Sequence, residues 1–369
     1  ILEVITLTNR IFNFSAGPAT LPLEVLEKAQ AEFLNFNNTG MSIMEMSHRS
    51  KPYEAVHNEA IATMKELLGL GDDYEVLFLQ GGASSQFSMI PLNLLTEGKT
   101  ADYILTGSFA EKAHKEAKLI GKTHVAASTK EENYKRIPNL DEIKFSENPA
   151  YVHITSNNTI FGTEWTVFPE TGAIPLIADM SSDILSQPFD ATKFALIYAG
   201  AQKNLGPSGV TVVIMRKDLV KNAPENLSTM LKYETHIKNN SLYNTPTTFG
   251  IYILNLVLQW VKNNGGLEAM GKRNKAKAAI IYKTIDESNG YYTGHAEPNS
   301  RSIMNVTFRL PSEELEQKFI AEATKAGLNG LKGHRSVGGL RASIYNAMPT
   351  EGCQALSDFM VEFQKNNPQ

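Results

Sequence analysis

Thiols are almost absent from this sequence of 369 residues, because Cys353 is its single cysteine. One thiol excludes an internal disulfide framework and a cluster of thiolate metal ligands, and the histidines show no metal-ligand spacing, so no metal site is expected. The composition suits a reducing compartment, and we predict a cytoplasmic protein. Cys353 lies next to the start of a helical C-terminal pattern and is interpreted as structural.

Excess positive charge and long apolar runs are also lacking. The 35 Lys and Arg residues against 39 Asp and Glu residues leave a net charge of −4, so neither nucleic acid nor a membrane is expected as a partner. The longest apolar stretch, residues 251–261, falls short of the roughly 20 residues of a membrane span and predicts a buried helix. Residues 1–10 lack a basic leader and a cleavage pattern, which predicts an N-terminal extension rather than a signal peptide.

Helical and strand patterns alternate through the first two thirds of the chain. This alternation predicts an α/β fold with a mostly parallel sheet covered by helices, which binds ligands at the carboxyl ends of its strands. A Lys- and Ala-rich helix and an alternating strand after residue 263 indicate a second, smaller α+β domain. The predicted strand runs of the first domain are residues 75–79, 101–105, 150–154, 173–178, 194–198 and 210–215.

Lys203 lies between the last two of these apolar runs. Partial loss of hydration would lower the pKa of this lysine and give a neutral amine that attacks carbonyl groups. The alternative is a lysine that extends into solvent from a surface turn. Asp179 ends another strand run, where a carboxylate could pair with the ring nitrogen of pyridoxal phosphate or could simply cap a turn.

A small-residue loop, Gly81-Gly-Ala-Ser-Ser-Gln-Phe87, follows the strand that ends at Leu79 and opens a helical pattern. The positive end of such a helix and its free N–H groups can bind a phosphate, with Ser84 and Ser85 adding hydroxyls. The loop fits neither common nucleotide-binding glycine pattern, so a plain strand-to-helix turn is the alternative. Phe109 could stack on a ring or belong to the core, and Thr159 could bind a ligand hydroxyl or form a turn.

Cations cluster between residues 323 and 350, where the sequence has no acidic residue. The segment from Lys332 to Arg341 combines glycines with His334, Arg335 and Arg341, whose guanidinium groups suit phosphate or carboxylate. A second basic segment is His48-Arg-Ser-Lys51. We favour a site for an anionic ligand over a solvated charged surface.

Together these segments resemble the phosphoserine aminotransferase family, a branch of the class V pyridoxal-phosphate-dependent aminotransferases. The resemblance runs in unbroken order from about Ile11 to Phe363 and is most specific around Lys203 and Arg341. The segments that carry it are Asn13-Phe-Ser-Ala-Gly-Pro18, Met46-Ser-His-Arg49, Gly81 to Phe87, Tyr198-Ala-Gly-Ala-Gln-Lys-Asn204, Tyr243-Asn-Thr-Pro246, Gly333-His-Arg335 and Arg341-Ala-Ser-Ile-Tyr-Asn-Ala-Met-Pro349.

The resemblance implies a fold-type I transferase with a seven-stranded-type sheet, and a homodimer with active sites at the subunit interface. It implies a large cofactor-binding domain over residues 11–262, to whose active site and neighbouring small domain the N-terminal segment contributes, and a small domain over residues 263–369. The reaction would exchange the amino group between L-glutamate and 3-phosphohydroxypyruvate. Whether the phosphorylated hydroxythreonine precursor of pyridoxine synthesis is also a substrate stays open.

The resemblance also implies a role for each matching position. Lys203 would hold pyridoxal 5′-phosphate as a Schiff base, Asp179 would pair with the ring nitrogen, Thr159 with the ring hydroxyl, and Phe109 would stack on the ring. Ala83, Ser84 and Gln202 would contact the cofactor phosphate together with Asn244 and Thr245 of the neighbouring subunit. His48, Arg49, His334 and Arg335 would take the substrate phosphate, and Arg341 the α-carboxylate. Some members have arginine in place of Ser84 and serine in place of Ala16.

Two alternatives are open at this stage. Another class V enzyme, of the alanine:glyoxylate type or a cysteine desulfurase, would share Lys203 but would leave the cations at His334 and Arg335 without a phosphate, and a desulfurase would need a thiol in a mobile loop. A non-catalytic protein that keeps the fold as a binding module would have no need of the pair Lys203 and Asp179.

Overall fold

The computed structural model describes residues 10–368, so most of the predicted N-terminal extension lies outside the described residues. The helices are α1 (Leu23–Glu32), α2 (Lys51–Leu68), α3 (Gly82–Leu94), α4 (Ser108–Lys118), α5 (Tyr233–Lys238), α6 (Thr248–Asn263), α7 (Gly266–Asp286), α8 (Glu313–Lys325) and α9 (Thr350–Asn366). The first ten strands are β1 (Phe12–Asn13), β2 (Tyr74–Leu79), β3 (Thr100–Leu105), β4 (Thr123–Ser128), β5 (Pro149–Thr155), β6 (Asn157–Asn158), β7 (Thr163–Glu164), β8 (Leu176–Asp179), β9 (Leu196–Gly200) and β10 (Thr211–Arg216). The last four are β11 (Thr293–Gly294), β12 (Asn305–Arg309), β13 (Leu328–Asn329) and β14 (Leu340–Ser343).

A seven-stranded sheet in the order β2-β10-β9-β8-β5-β3-β4 organises the first two thirds of the chain. Five neighbouring strands from β9 to β4 pair in parallel, and β10 runs antiparallel to both β9 and β2. The sheet is therefore mostly parallel, as the sequence predicts.

Both faces of this sheet are buried, which explains why its strands appear in the sequence as short continuous apolar runs. In β9, Ile197 and Ala199 pack into the core on one face, whereas Leu196 and Tyr198 pack into the core on the other. Strand β8 begins at Leu176, three residues later than the predicted run. Among residues 10–368, no helix combines the length and the apolar character that a membrane crossing requires.

A second core lies under the C-terminal part of the chain, where β11, β12 and β14 form an antiparallel sheet. Helices α7 and α9 pack against each other here, and Cys353 is fully buried in this core, with a pKa raised by burial to about 12. The N-terminal segment joins it, because Phe14 is buried in this core and β1 pairs with β13.

Buried polar contacts fix the C-terminal core against the sheet edge that carries Lys203. The Nζ of Lys277, in α7, donates to three backbone carbonyls of segment 344–348 at 2.7 to 3.1 Å. In the same segment, the backbone N–H of Asn346 donates to the side chain of Asn204 at 3.0 Å. Asn204 follows Lys203 in the chain, so the position of the lysine depends on both parts of the structure.

Candidate active site

The carboxyl edge of the central sheet brings together side chains from four successive strand ends. Asp179 is the last residue of β8, and Lys203 lies three residues after β9. Thr159 directly follows β6, which begins two residues after the end of β5. Phe109 lies in the first turn of α4, which begins three residues after the end of β3. Because the strands are parallel neighbours, their ends meet at one edge, and these four predicted residues converge there.

Lys203 is partly buried at this edge. Its Nζ donates to Thr159 Oγ1 at 2.7 Å and lies 5.6 Å from the centroid of the Phe109 ring. Burial lowers the pKa of Lys203 to about 8; Asp179 opposes this shift, and the positive charge of Arg341 adds to it. The neutral amine therefore dominates above about pH 8 instead of only above the ordinary lysine value of 10.5.

Asp179 is a buried carboxylate, 4% exposed. Its Oδ1 accepts the backbone N–H of Ser181 at 2.9 Å. Burial raises the pKa of Asp179, and the hydrogen bonds from Ser181 and the charge of Lys203 act in the opposite direction. A cationic N–H donor placed against this carboxylate would stabilise its ionised form.

The N-terminus of α3 has the geometry of an anion-binding site. Gly81 precedes the helix with a φ of 96°, in the left-handed region, and a Cβ there would overlap Ser85 Oγ. No side chain caps this helix end, which leaves the first-turn N–H groups around Ala83 and Ser84 available to a ligand. The side chain of Gln202, which precedes the lysine, lies against Gly200, where a Cβ would be 2.7 Å from Gln202 Oε1.

Arg341 joins the C-terminal core to the lysine. It projects from β14, is largely buried, and donates from Nη1 to the backbone carbonyl of Thr159 at 3.2 Å. Thr159 therefore contacts the guanidinium group through its backbone and Lys203 through its hydroxyl. The arrangement holds one fixed cation beside one amine of lowered pKa.

His334 lies among these positive charges as a largely neutral hydrogen-bonding ring. Burial lowers the pKa of His334, and the neighbouring charges of Arg341, Lys112 and Arg335 lower it further. The structure thus brings together three residues of the predicted cation cluster and adds Lys112, whose Nζ lies 5.1 Å from the centroid of the Phe109 ring. Lys112 follows Phe109 by three positions on α4, a helical spacing that could have revealed it.

A cavity of about 330 Å³ adjoins His334 and Arg341. It is also lined by Lys135, His295 and Arg309, and the described residues that line it include no carboxylate. Sequence reasoning missed these three residues, because they come from separate loops and strands and share no local pattern.

Four predicted residues form no hydrogen bond or ion pair with Lys203 among the described residues. His48 and Arg49 lie in the turn before α2, and among the described residues neither forms a side-chain hydrogen bond or ion pair with Lys203 or Arg341. Asn244 lies beside the start of the small-residue loop of its own protomer, where its Nδ2 donates to Gln80 Oε1 at 3.5 Å, and Thr245 follows it.

Comparison with known proteins adds independent information. The family model described as aminotransferase class-V matches residues 11–356. A curated relative, the phosphoserine aminotransferase of Lysinibacillus sphaericus (strain C3-41), is 62% identical over 361 residues, which cover 98% of this chain and 100% of the relative.

Solved structures agree with this similarity. The phosphoserine aminotransferase from Bacillus circulans subsp. alkalophilus superimposes with a TM-score of 0.96 at 61% identity, covering 97% of this chain and 99% of that one. The pyridoxal-phosphate-bound phosphoserine aminotransferase from Trichomonas vaginalis superimposes with a TM-score of 0.91 at 41% identity, covering 95% of this chain and 100% of that one.

Proposed function

The chain belongs to the class-V aminotransferase family, and we propose that it transfers the amino group from L-glutamate to 3-phosphohydroxypyruvate, forming O-phospho-L-serine and 2-oxoglutarate in serine synthesis. The observation that carries the proposal is the position of Thr159. Its hydroxyl accepts a hydrogen bond from Lys203, and its backbone carbonyl accepts one from Arg341. A reactive amine and a guanidinium group held beside it suit an amino acid or an oxo acid. The further cations around His334 suit a substrate with a second anionic group.

The cofactor is pyridoxal 5′-phosphate, which when bound supplies an aldehyde that accepts an amino group and a ring that withdraws electrons. The described residues fit each part of this group. Lys203 is an amine of lowered pKa for the aldehyde, an N–H donor such as the ring nitrogen would stabilise the buried carboxylate of Asp179, and the uncapped end of α3 suits an anion. Thr159 and Phe109 would take the ring hydroxyl and the ring face.

Several further residues complete the proposed cofactor site. Ala83 and Ser84 would bind the phosphate from the first turn of α3, and Gln202 would bind it from the loop after β9. Asn244 and Thr245 of a neighbouring copy would add to this phosphate site, a proposal supported by the exposure of Thr245 and the partial exposure of Asn244.

Lys203 has two tasks in this proposal. It binds the cofactor, and when its amine is free and neutral, Nζ takes the proton from the α-carbon of the amino-acid substrate and holds it for return. The hydroxyl of Thr159 and the ring of Phe109 orient that amine. Because both substrates use the same site in turn, ping-pong kinetics are expected.

The basic side chains divide between the two anionic groups of the substrate. Arg341 would hold the α-carboxylate through its planar fork, and His334 and Arg335 would hold the phosphate. His48 and Arg49 would join them from a second copy of the chain. An alanine:glyoxylate exchange would not use the cations beyond Arg341, and the curated relatives support the phosphorylated substrate.

A homodimer is supported by apolar side chains that are exposed in the segment preceding the basic turn at His48 and Arg49. Leu34 is 81% exposed, and Met41 and Met44 are also exposed. Several exposed apolar side chains in one segment suit a subunit interface. Sedimentation equilibrium of the purified protein would test this, and a monomer at all concentrations would contradict it.

Two finer predictions belong to the same proposal. A cytoplasmic location is supported by the single cysteine. The related phosphorylated oxo acid of pyridoxine synthesis carries the same two anionic groups as 3-phosphohydroxypyruvate, so it is the second substrate to test.

A two-substrate comparison tests the proposal. The purified protein, loaded with cofactor, is incubated with glutamate and 3-phosphohydroxypyruvate, and in parallel with alanine and glyoxylate. Phosphoserine formed far faster than glycine supports the proposal. Glycine formed without phosphoserine would favour the other class V activity.

A further inference from the structure

A row of buried polar side chains lies behind Asp179 on one face of the central sheet. Asp179 and Tyr198 are paired positions of β8 and β9, and Tyr103 and His153 are paired positions of β3 and β5. The Nε2 of His153 lies 2.9 Å from the hydroxyl of Tyr198, and the His153 ring stacks on Tyr103 with centroids 4.9 Å apart. All four side chains are buried, and the proposed chemistry assigns no role to any of them except Asp179.

The hydroxyl of Tyr198 has one proton and two neighbours. One neighbour is His153 Nε2, at 2.9 Å. The other is the carboxylate of Asp179, which occupies the paired position of β8; burial raises the pKa of Asp179, and the Tyr198 hydroxyl acts against that rise. A carboxylate can only accept hydrogen bonds. The hydroxyl can therefore donate to Asp179 only if His153 carries a proton on Nε2 and donates it to the tyrosine oxygen.

The surroundings of His153 favour this tautomer. Burial lowers the pKa of His153 to about 3, so the ring is neutral and has a single N–H. Its Nδ1 is buried and forms no hydrogen bond of ordinary geometry among the described residues, although the backbone of His153 itself opposes part of the lowering of the pKa. A proton on Nε2 has a good acceptor at 2.9 Å, whereas a proton on Nδ1 has none of comparable geometry.

We propose that His153 is a positioning residue that acts through Tyr198: its Nε2–H holds the tyrosine oxygen, so that the hydroxyl proton is directed to Asp179 and stabilises that carboxylate as an anion. The inference rests on the proposed function, which gives Asp179 its task at the ring nitrogen of the cofactor. It adds a second row of residues, on the protein side of Asp179, to those that would contact the cofactor.

Three substitutions separate this role from simple packing. Tyr198→Phe keeps the ring and removes the hydroxyl, His153→Leu removes the donor, and His153→Gln restores an N–H donor. Tyr103→Phe is the matched control, because it removes a buried hydroxyl from the same face whose hydrogen bond goes to Tyr151, at 2.9 Å. Thermal unfolding measures the packing cost of each variant.

The dissociation constant of pyridoxal 5′-phosphate for the cofactor-free protein is the first readout. Loss of a hydrogen bond to a charged group should weaken binding roughly tenfold or more in Tyr198→Phe and in His153→Leu. His153→Gln should recover most of the affinity, and Tyr103→Phe should bind normally even if it unfolds earlier. Equal weakening in Tyr103→Phe and Tyr198→Phe would show a packing effect and overturn the proposal.

The tautomer of His153 is the direct test, and it needs no variant to fold except for assignment. In protein with ¹⁵N-labelled histidine, the His153 signals are identified by their loss in His153→Gln. We expect the Nε2–H tautomer in the wild type, and an Nδ1–H tautomer would overturn the proposal. Neither readout uses transamination, so an enzyme that makes no phosphoserine but shows the Nε2–H tautomer and the binding pattern would contradict only the proposed function.

Discussion

Replacing Arg341 by glutamine tests two consequences of one contact. The guanidinium group donates to the backbone of Thr159 at 3.2 Å, and its charge lowers the pKa of Lys203. Arg341→Gln removes the charge but keeps an amide that can donate to the same carbonyl. The variant should therefore lose substrate affinity and should also change the titration of the lysine, without collapse of the loop at Thr159.

The expected magnitude follows from the burial of the group. Loss of one partner from a largely buried charge pair with a substrate carboxylate costs about 3 kcal/mol, which corresponds to a decrease of roughly 150-fold in kcat/KM for both substrates. The sign of the pKa change is also fixed. Because the positive charge of Arg341 disfavours the ammonium form, its removal should raise the pKa of Lys203 above about 8.

The assay for the second effect is the rate of cofactor uptake by the cofactor-free protein as a function of pH. Uptake needs the neutral amine of Lys203, so in the wild type its rate should rise through a midpoint near pH 8, and in Arg341→Gln this midpoint should move to higher pH. Arg341→Lys is the control, since it keeps the charge and loses the planar fork. It should show lower kcat/KM with an unmoved midpoint. A midpoint that stays in place in Arg341→Gln would refute the electrostatic argument.

The remaining predictions concern the amine of Lys203, the binding site for the substrate phosphate and the binding site for the cofactor phosphate. Lys203→Ala should abolish transamination and still bind cofactor non-covalently, as measured by dialysis and absorbance; retained turnover would remove the lysine from the chemistry. Arg335→Ala should raise KM for 3-phosphohydroxypyruvate and leave glutamate largely unaffected in half-reaction kinetics; equal losses would remove its phosphate role. Gly81→Ala should weaken cofactor binding more than Gly98→Ala, because both glycines have positive φ but only at Gly81 would a Cβ overlap another side chain, that of Ser85. Equal binding by these two variants would show that only backbone strain matters.

Much of the central sheet could be predicted from the sequence, because strands buried on both faces appear as short apolar runs. The strand β4, Thr123–Ser128, was missed because it lies at the edge of the sheet. All but one of its residues are partly or fully exposed, so its sequence has no clear apolar run. The antiparallel direction of β10 was not predicted either. Local pattern cannot reveal strand direction, which depends on how the loop that carries Lys203 turns back.

The residues of the candidate site were also only partly predictable from the sequence. Residues next to strand ends, such as Asp179 and Lys203, could be found because strand ends mark ligand sites in this class of fold. Lys135 and His295 line the cavity beside His334 through contacts between distant segments, and nothing in their local sequence indicates this. His153 was missed because a histidine inside an apolar run gives no sign of the hydroxyl that it faces.

The most direct test of the account is the product formed from glutamate and 3-phosphohydroxypyruvate by the cofactor-loaded enzyme. The account predicts O-phospho-L-serine and 2-oxoglutarate in equal amounts, together with a change of the cofactor's visible absorbance when glutamate alone is added. A protein that binds pyridoxal 5′-phosphate, shows no absorbance change with glutamate and forms no phosphoserine would contradict the central claim.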